Sequence, residues 1–103
     1  MYVRMVIGEA ISDDQIKEFV SRFKAEIQPE ILEQPGIHRS EVMIEEGGRM
    51  VLVITYWNTR DACLKYHASR GYRQFVAKTQ HLLLGDFVVK LFRTEEASVE
   101  PLL

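Results

Sequence analysis

The chain has 103 residues, 47% of them hydrophobic and 27% charged, with a formal charge of −2, a length that predicts one domain over 1–103 and no second. Thirteen basic against fifteen acidic residues exclude the massed positive charge that grips nucleic acid without regard to sequence. The longest apolar stretch, Met50 to Trp57, falls far short of the ~20 residues that cross a bilayer.

Residues Tyr2 to Ile7 are rich in β-branched and aromatic side chains and end at Gly8, which predicts a strand. The opening residues show no charged leader followed by an apolar segment and a small-residue cleavage site, so the expected compartment is the cytoplasm. Ser12-Asp13-Asp14-Gln15 has the spacing of a capping box, and Ile16, Phe19, Val20, Phe23, Ile27 and Ile31 follow at helical steps. Pro29 should kink or restart that helix, and Pro35-Gly36 should end it. From Ile37 to Ile44 apolar and polar residues alternate, with Arg39 and Glu41 together on one side, and Glu45-Glu46-Gly47-Gly48 predicts a hairpin turn into Met50 to Trp57. Seven of the eight residues in that third strand are apolar, the pattern of a strand covered on both faces. Asn58 or Thr59 then caps a short helix to about His67, Ser69-Arg70-Gly71 is a joint, and Tyr72, Phe75, Val76, Thr79, Leu82 and Leu83 mark a second helix. Phe87 to Phe92 is the last strand. Cys63, the single cysteine, has no partner for an internal disulfide and reads as helix filler rather than as a nucleophile.

Strand, helix, strand, strand, helix pair, strand is the β-α-β-β-α-β order of an α+β, ferredoxin-like domain with one antiparallel sheet. Right-handed crossovers put both helical layers on one face of it. The opposite face is apolar too, because strands one, three and four barely alternate, and a patch of that size needs a cover. A second copy placed sheet to sheet around a two-fold axis is the simplest one, so a homodimer is expected, with residues 94–103 as a tail able to reach the partner.

Pro35-Gly36-Ile37 at the start of strand two, Tyr56-Trp57 at the end of strand three, and Asp61-Ala62, His67, Ser69, Tyr72 and Phe75 in that order resemble the antibiotic biosynthesis monooxygenase-like family of dimeric α+β barrels. The resemblance runs from Tyr2 to about Arg93. It implies a small-molecule pocket in each subunit between sheet and helices, with Trp57 and His67 near it, and no cofactor. Two departures matter. Haem-degrading relatives use an asparagine on strand one and a tryptophan on the helices, whereas strand one here offers Arg4 and the helices hold no tryptophan. Quinone-forming relatives often carry a polar amide on strand three, where this chain has Val51-Leu52-Val53-Ile54.

His67 is the candidate catalytic residue. An imidazole with a pKa near ~6.5 takes a proton from a phenol at neutral pH, and the resulting anion is electron-rich enough to reduce O2 without metal or flavin; the plainer reading is a histidine closing its helix. Trp57 is a candidate for stacking on an aromatic substrate, Tyr72 for orienting a ligand oxygen and Phe75 for lining the pocket, each set against ordinary core packing. Arg39 either pairs with Glu41 on the surface or, like Arg4, holds an anionic substrate. His38, His67 and His81 have no ligand-pair spacing, so no metal site is expected. The expected function is a cofactor-independent monooxygenase for a small aromatic, quinol or polyketide-like substrate; the alternative is a non-enzymatic dimer that binds a small molecule or serves as a structural module.

Overall fold

A computed structural model describes residues 1–95 of the chain, so most of the tail expected to reach a partner lies outside the described residues. The elements follow the expected order: β1 (Tyr2–Glu9), α1 (Asp13–Arg22), a wide π-helical turn (Phe23–Ile27), α2 (Gln28–Leu32), β2 (Ile37–Ile44), β3 (Met50–Trp57), α3 (Arg60–His67), α4 (Arg70–Thr79), a 3-10 turn (Gln80–Leu82) and β4 (Val88–Arg93). The four strands form one antiparallel sheet in the order β2-β3-β1-β4. This is the α+β ferredoxin-like arrangement that the sequence predicts.

Alternation along the strands sorts the side chains. Val6 of β1 and Val51, Val53 and Trp57 of β3 pack with Phe19, Phe23, Ile27, Ile31 and Phe75 of the helices into the core. The other face holds Val3, Met5 and Ile7 of β1, opposite Leu52, Ile54 and Tyr56 of β3 on one side and Val88 and Phe92 of β4 on the other. Among the described residues only one face of the sheet lies against helices, and Met43, Met50, Val88 and Phe92 are exposed on the other.

Several local expectations change. Ser12 precedes α1 with extended backbone but caps no amide; its hydroxyl donates instead to the side-chain oxygen of Gln15. Of the two expectations for Pro29, the restart holds and the kink at its own position does not. The chain widens one turn earlier, with the Gln28 amide donating to Phe23 O, and Pro29 falls in the first turn of α2, where its missing N–H costs nothing. In β2 the register slips between Ile37 and Arg39. His38 is the extra residue, so Ile37 joins the core side with Val42 instead of sharing a face with Arg39. The last strand runs one residue later than expected, and α4 ends at Thr79 in a tighter turn.

Thr59 caps α3, its hydroxyl accepting from Ala62 N at 3.1 Å, and Ser69 caps α4 in the same way from Tyr72 N at 3.2 Å. These two caps fix where α3 and α4 start. They thereby place His67 and Tyr72 across one short joint.

Candidate functional site

The site is built on Arg4, the one charged side chain on the helix-facing side of β1. It is only 2% exposed. Its Nη2 donates to His67 Nδ1 at 3.0 Å, and its guanidinium carbon lies 4.1 Å from the ring centroid of Tyr72 and 5.4 Å from that of Tyr66, within the range of cation–π attraction. His67 and Tyr72 stack at 5.4 Å and 26°. A cation, an imidazole and two phenol rings therefore form one packed group beneath the α3–α4 joint.

The hydrogen bond settles the imidazole. A guanidinium has donors only, so Nδ1 is the acceptor and the ring proton sits on Nε2. His67 is exposed as a whole, but partial desolvation first, and the positive charge of Arg4 second, hold it below its ordinary pKa of 6.5. At neutral pH it is uncharged. Burial likewise pushes the Tyr66 phenol well above its ordinary value despite the nearby Arg4, and its hydroxyl is buried without a partner. The Cys63 thiol is pushed up by burial, against the opposing pull of Arg4 and Arg60.

Arg4, Cys63, Leu64, His67, Val89 and Leu91 line a pocket of about 310 Å³, at the small end of ligand sites and suited to one or two rings. Apolar walls with one cation and one imidazole leave little choice about orientation. Taking an arginine out of water costs on the order of several kcal/mol unless a counter-charge repays it, and among the described residues no carboxylate pairs with Arg4. Its Nε–H is buried and has no acceptor.

Two other hollows lack this convergence. An open groove of about 850 Å³ between the hairpin and the start of α1 is lined by residues such as Glu9, Lys17 and Arg49, all exposed. A hollow of about 290 Å³ lies between the Pro35-Gly36 turn and α3, beside Asp61 and Lys65. Among the described residues no group of three or more His, Cys, Asp or Glu is placed to hold a metal ion.

Of the residues singled out from the sequence, the fold brings His67 and Tyr72 together. Trp57 sits one layer behind: it is fully buried, its indole N–H donates to Thr55 Oγ1 at 2.8 Å, and its ring stacks on Tyr66 at 5.3 Å. Phe75 is buried and braces Tyr72 edge-on at 5.9 Å. Arg39 pairs in register with Tyr56 on the opposite face of the sheet, forms an ion pair with Glu41, and does not meet His67. Sequence reasoning missed the pocket walls, Cys63, Leu64, Val89 and Leu91, and gave Arg4 a minor place. The available signal was a lone arginine in an otherwise apolar strand.

No helix among the described residues is long and apolar enough to cross a membrane. The sequence model of a family described as antibiotic biosynthesis monooxygenase matches residues 2–78. The fold is similar to a monooxygenase from the gene ActVA-Orf6 of Streptomyces coelicolor, solved with the ligand nanaomycin D, with a TM-score of 0.83, 16% identity and coverage of 97% of this chain and 92% of that one. It is also similar to a mutant form of SnoaB, a cofactor-independent oxygenase from Streptomyces nogalater, with a TM-score of 0.78, 20% identity and coverage of 96% and 97%. Rv0793 from Mycobacterium tuberculosis is similar with a TM-score of 0.73, 18% identity and coverage of 95% and 100%. At these identities the likeness establishes the fold. No curated protein sequence matches the chain.

Proposed function

The chain belongs to the antibiotic biosynthesis monooxygenase family, and from that premise we propose that it is a cofactor-independent monooxygenase for a small aromatic or quinol-type substrate, acting as a homodimer in the cytoplasm. The observation that carries the reading is the Arg4–His67–Tyr72 group at the wall of an otherwise apolar pocket of about 310 Å³. The exposed apolar face of the sheet supports the homodimer, and the single unpaired cysteine, Cys63, suits a reducing compartment.

In the proposed reaction a phenolic substrate gives up its hydroxyl proton and the anion passes one electron to O2. The radical pair joins at a ring carbon as a peroxide, and loss of water leaves a carbonyl there, one oxygen atom staying in the quinone and the other leaving in water. His67 serves as base or hydrogen-bond partner to the substrate oxygen. With Nδ1 occupied by Arg4, the second role needs no rearrangement, because Nε2–H is the donor. Tyr72 holds the imidazole plane by stacking, while Trp57 and Phe75 keep Tyr66 and Tyr72 in place from behind. Arg39, on the far side of the sheet, stays outside the binding set in this reading.

Oxygen uptake with a panel of hydroquinones and phenols, compared between the native protein and His67→Ala, tests the proposal. A fall of about 100-fold in the variant is the expected size for a lost proton-handling group. Equal rates remove His67 from the mechanism. If the native protein consumes no oxygen with any member of the panel but retains a small molecule in native mass spectrometry, the chain is a binding module.

A further inference from the structure

We propose that the His67 pocket selects its ligand as an anion, an aromatic phenolate whose charge is met by Arg4. The inference deepens the monooxygenase reading by naming the ionic form of the substrate that this same site takes.

Three observations combine. Arg4 is nine-tenths buried and more, yet it lines the pocket. Among the described residues its Nε–H has no acceptor, and the hydrogen bond from Nη2 goes to a neutral imidazole rather than to a carboxylate. Every other wall is free of negative charge: Val89 and Leu91 come from β4, and Leu64, Cys63 and His67 from α3. Outside the pocket lining, Tyr66 and Tyr72 present ring faces to the guanidinium. The titratable groups facing Arg4 are His67, Cys63, Tyr66 and Tyr72. His67 carries no negative charge in either form, and burial raises Cys63 and Tyr66 above their ordinary values, away from the anion. Glu30 raises Tyr66 further, and it forms no ion pair with Arg4. A buried cation with spare donors and no counter-charge favours the ligand that supplies one.

The apolar walls make the preference aromatic rather than merely anionic, because Leu64, Val89 and Leu91 reward a flat hydrocarbon body while Arg4 rewards an oxyanion at one end. An unionised phenol would leave the Arg4 charge unmet. Binding the conjugate base also lightens the demand on His67, because the proton leaves to solvent on entry and the imidazole need only donate from Nε2.

The test uses 4-nitrophenol, whose anion absorbs visible light, with 4-nitroanisole as the neutral isostere and 4-nitrobenzoate as the carboxylate. In the native protein the phenol bound at saturation should titrate at least one pH unit lower than free phenol, and the anisole should bind at least tenfold more weakly. An unshifted or raised titration, or anisole binding within twofold of the phenolate, overturns the proposal, and 4-nitrobenzoate binding more tightly than the phenolate reassigns the site to carboxylates and overturns the phenolate assignment. Arg4→Met should fold and lose the tenfold preference, and Arg4→Lys should keep part of it. If Arg4→Met does not fold, the native-protein titrations still decide. The two readings fail separately: native protein that prefers phenolate without consuming oxygen leaves this inference standing and ends the oxygenase, whereas oxygen uptake by Arg4→Met with an unchanged KM does the reverse.

Discussion

Arg4 and His67 are 63 positions apart in the chain, and their meeting is the least legible part of the molecule. His67 was visible as a candidate because a histidine at the end of a short helix is chemically conspicuous. Arg4 looked like a mild irregularity in an apolar strand, and only the placement of β1 in the middle of the sheet turns it into the floor of a pocket. Trp57 and Phe75 illustrate the opposite error of scale, since large aromatic residues draw attention in a sequence, but here they fill the layer behind the site. The depressed pKa of His67 has a consequence for stability. The unfolded chain takes up the proton near the ordinary 6.5, before the folded one does, so this residue leaves stability undiminished above that pH. It then withdraws stability as the pH falls through it, until the folded form is protonated as well. Thermal melts between about pH 8 and pH 5 should therefore show a steeper loss of Tm for the native protein than for His67→Gln. Parallel curves for the two would show that His67 does not titrate differently on folding. The Cys63 thiol, buried and held above its usual range, should react with a disulfide reagent at pH 8 only as fast as the protein unfolds. Prompt labelling of the native protein would contradict that burial.

The elements themselves were largely readable, because their signals are local: a cap at Asn58 or Thr59, a joint at Ser69-Arg70-Gly71, glycines at turns, and apolar residues at steps of two or four. What escaped was any place where the chain changes step. The bulge at His38 leaves no trace in composition, since the extra residue is recognisable only against the strand it pairs with. The wide turn at Phe23–Ile27 was signalled by Pro29, but the proline acts on the turn before it. Phe19, Phe23, Ile27 and Ile31 are spaced by four throughout and all are buried, although in a pure α-helix such a series drifts by about 40° at each step. The wider turn winds that drift back. Glycine substitutions separate backbone strain from close contact. Gly36 and Gly47 both have positive φ, 82° and 73°, but a Cβ at Gly36 would lie 2.6 Å from the Ala62 Cβ, while nothing comes within 4 Å at Gly47. Gly47→Ala should cost about 1 kcal/mol and Gly36→Ala about 2 to 3 kcal/mol in urea unfolding. Similar costs for both would mean that the turn at Gly36 yields easily away from α3.

Across the whole molecule the apolar sheet face was the inference drawn furthest from sequence alone, and it carries the association proposed above. Val88 and Phe92 are 52% and 47% exposed in the single chain, next to half-buried Val3, Met5 and Ile7. A stable pair of chains covers about 800 Å² on each partner, and a sheet face of four strands is large enough to supply it. Sedimentation at micromolar concentration should give a dimer for the native protein and a monomer for the Val88→Lys, Phe92→Lys double variant. A native protein that sediments as a monomer would remove the homodimer. The central position of β1 ties this surface to the pocket. Successive residues along a strand point to opposite sides about 3.3 Å apart, so Val3 and Met5 flank Arg4 in sequence while facing the other way. Neither side of that strand is free to drift alone: in the proposed dimer a replacement that reshapes how two copies meet would also shift the backbone from which the cationic floor hangs, so inheritance would have to tune docking and chemistry as a single trait.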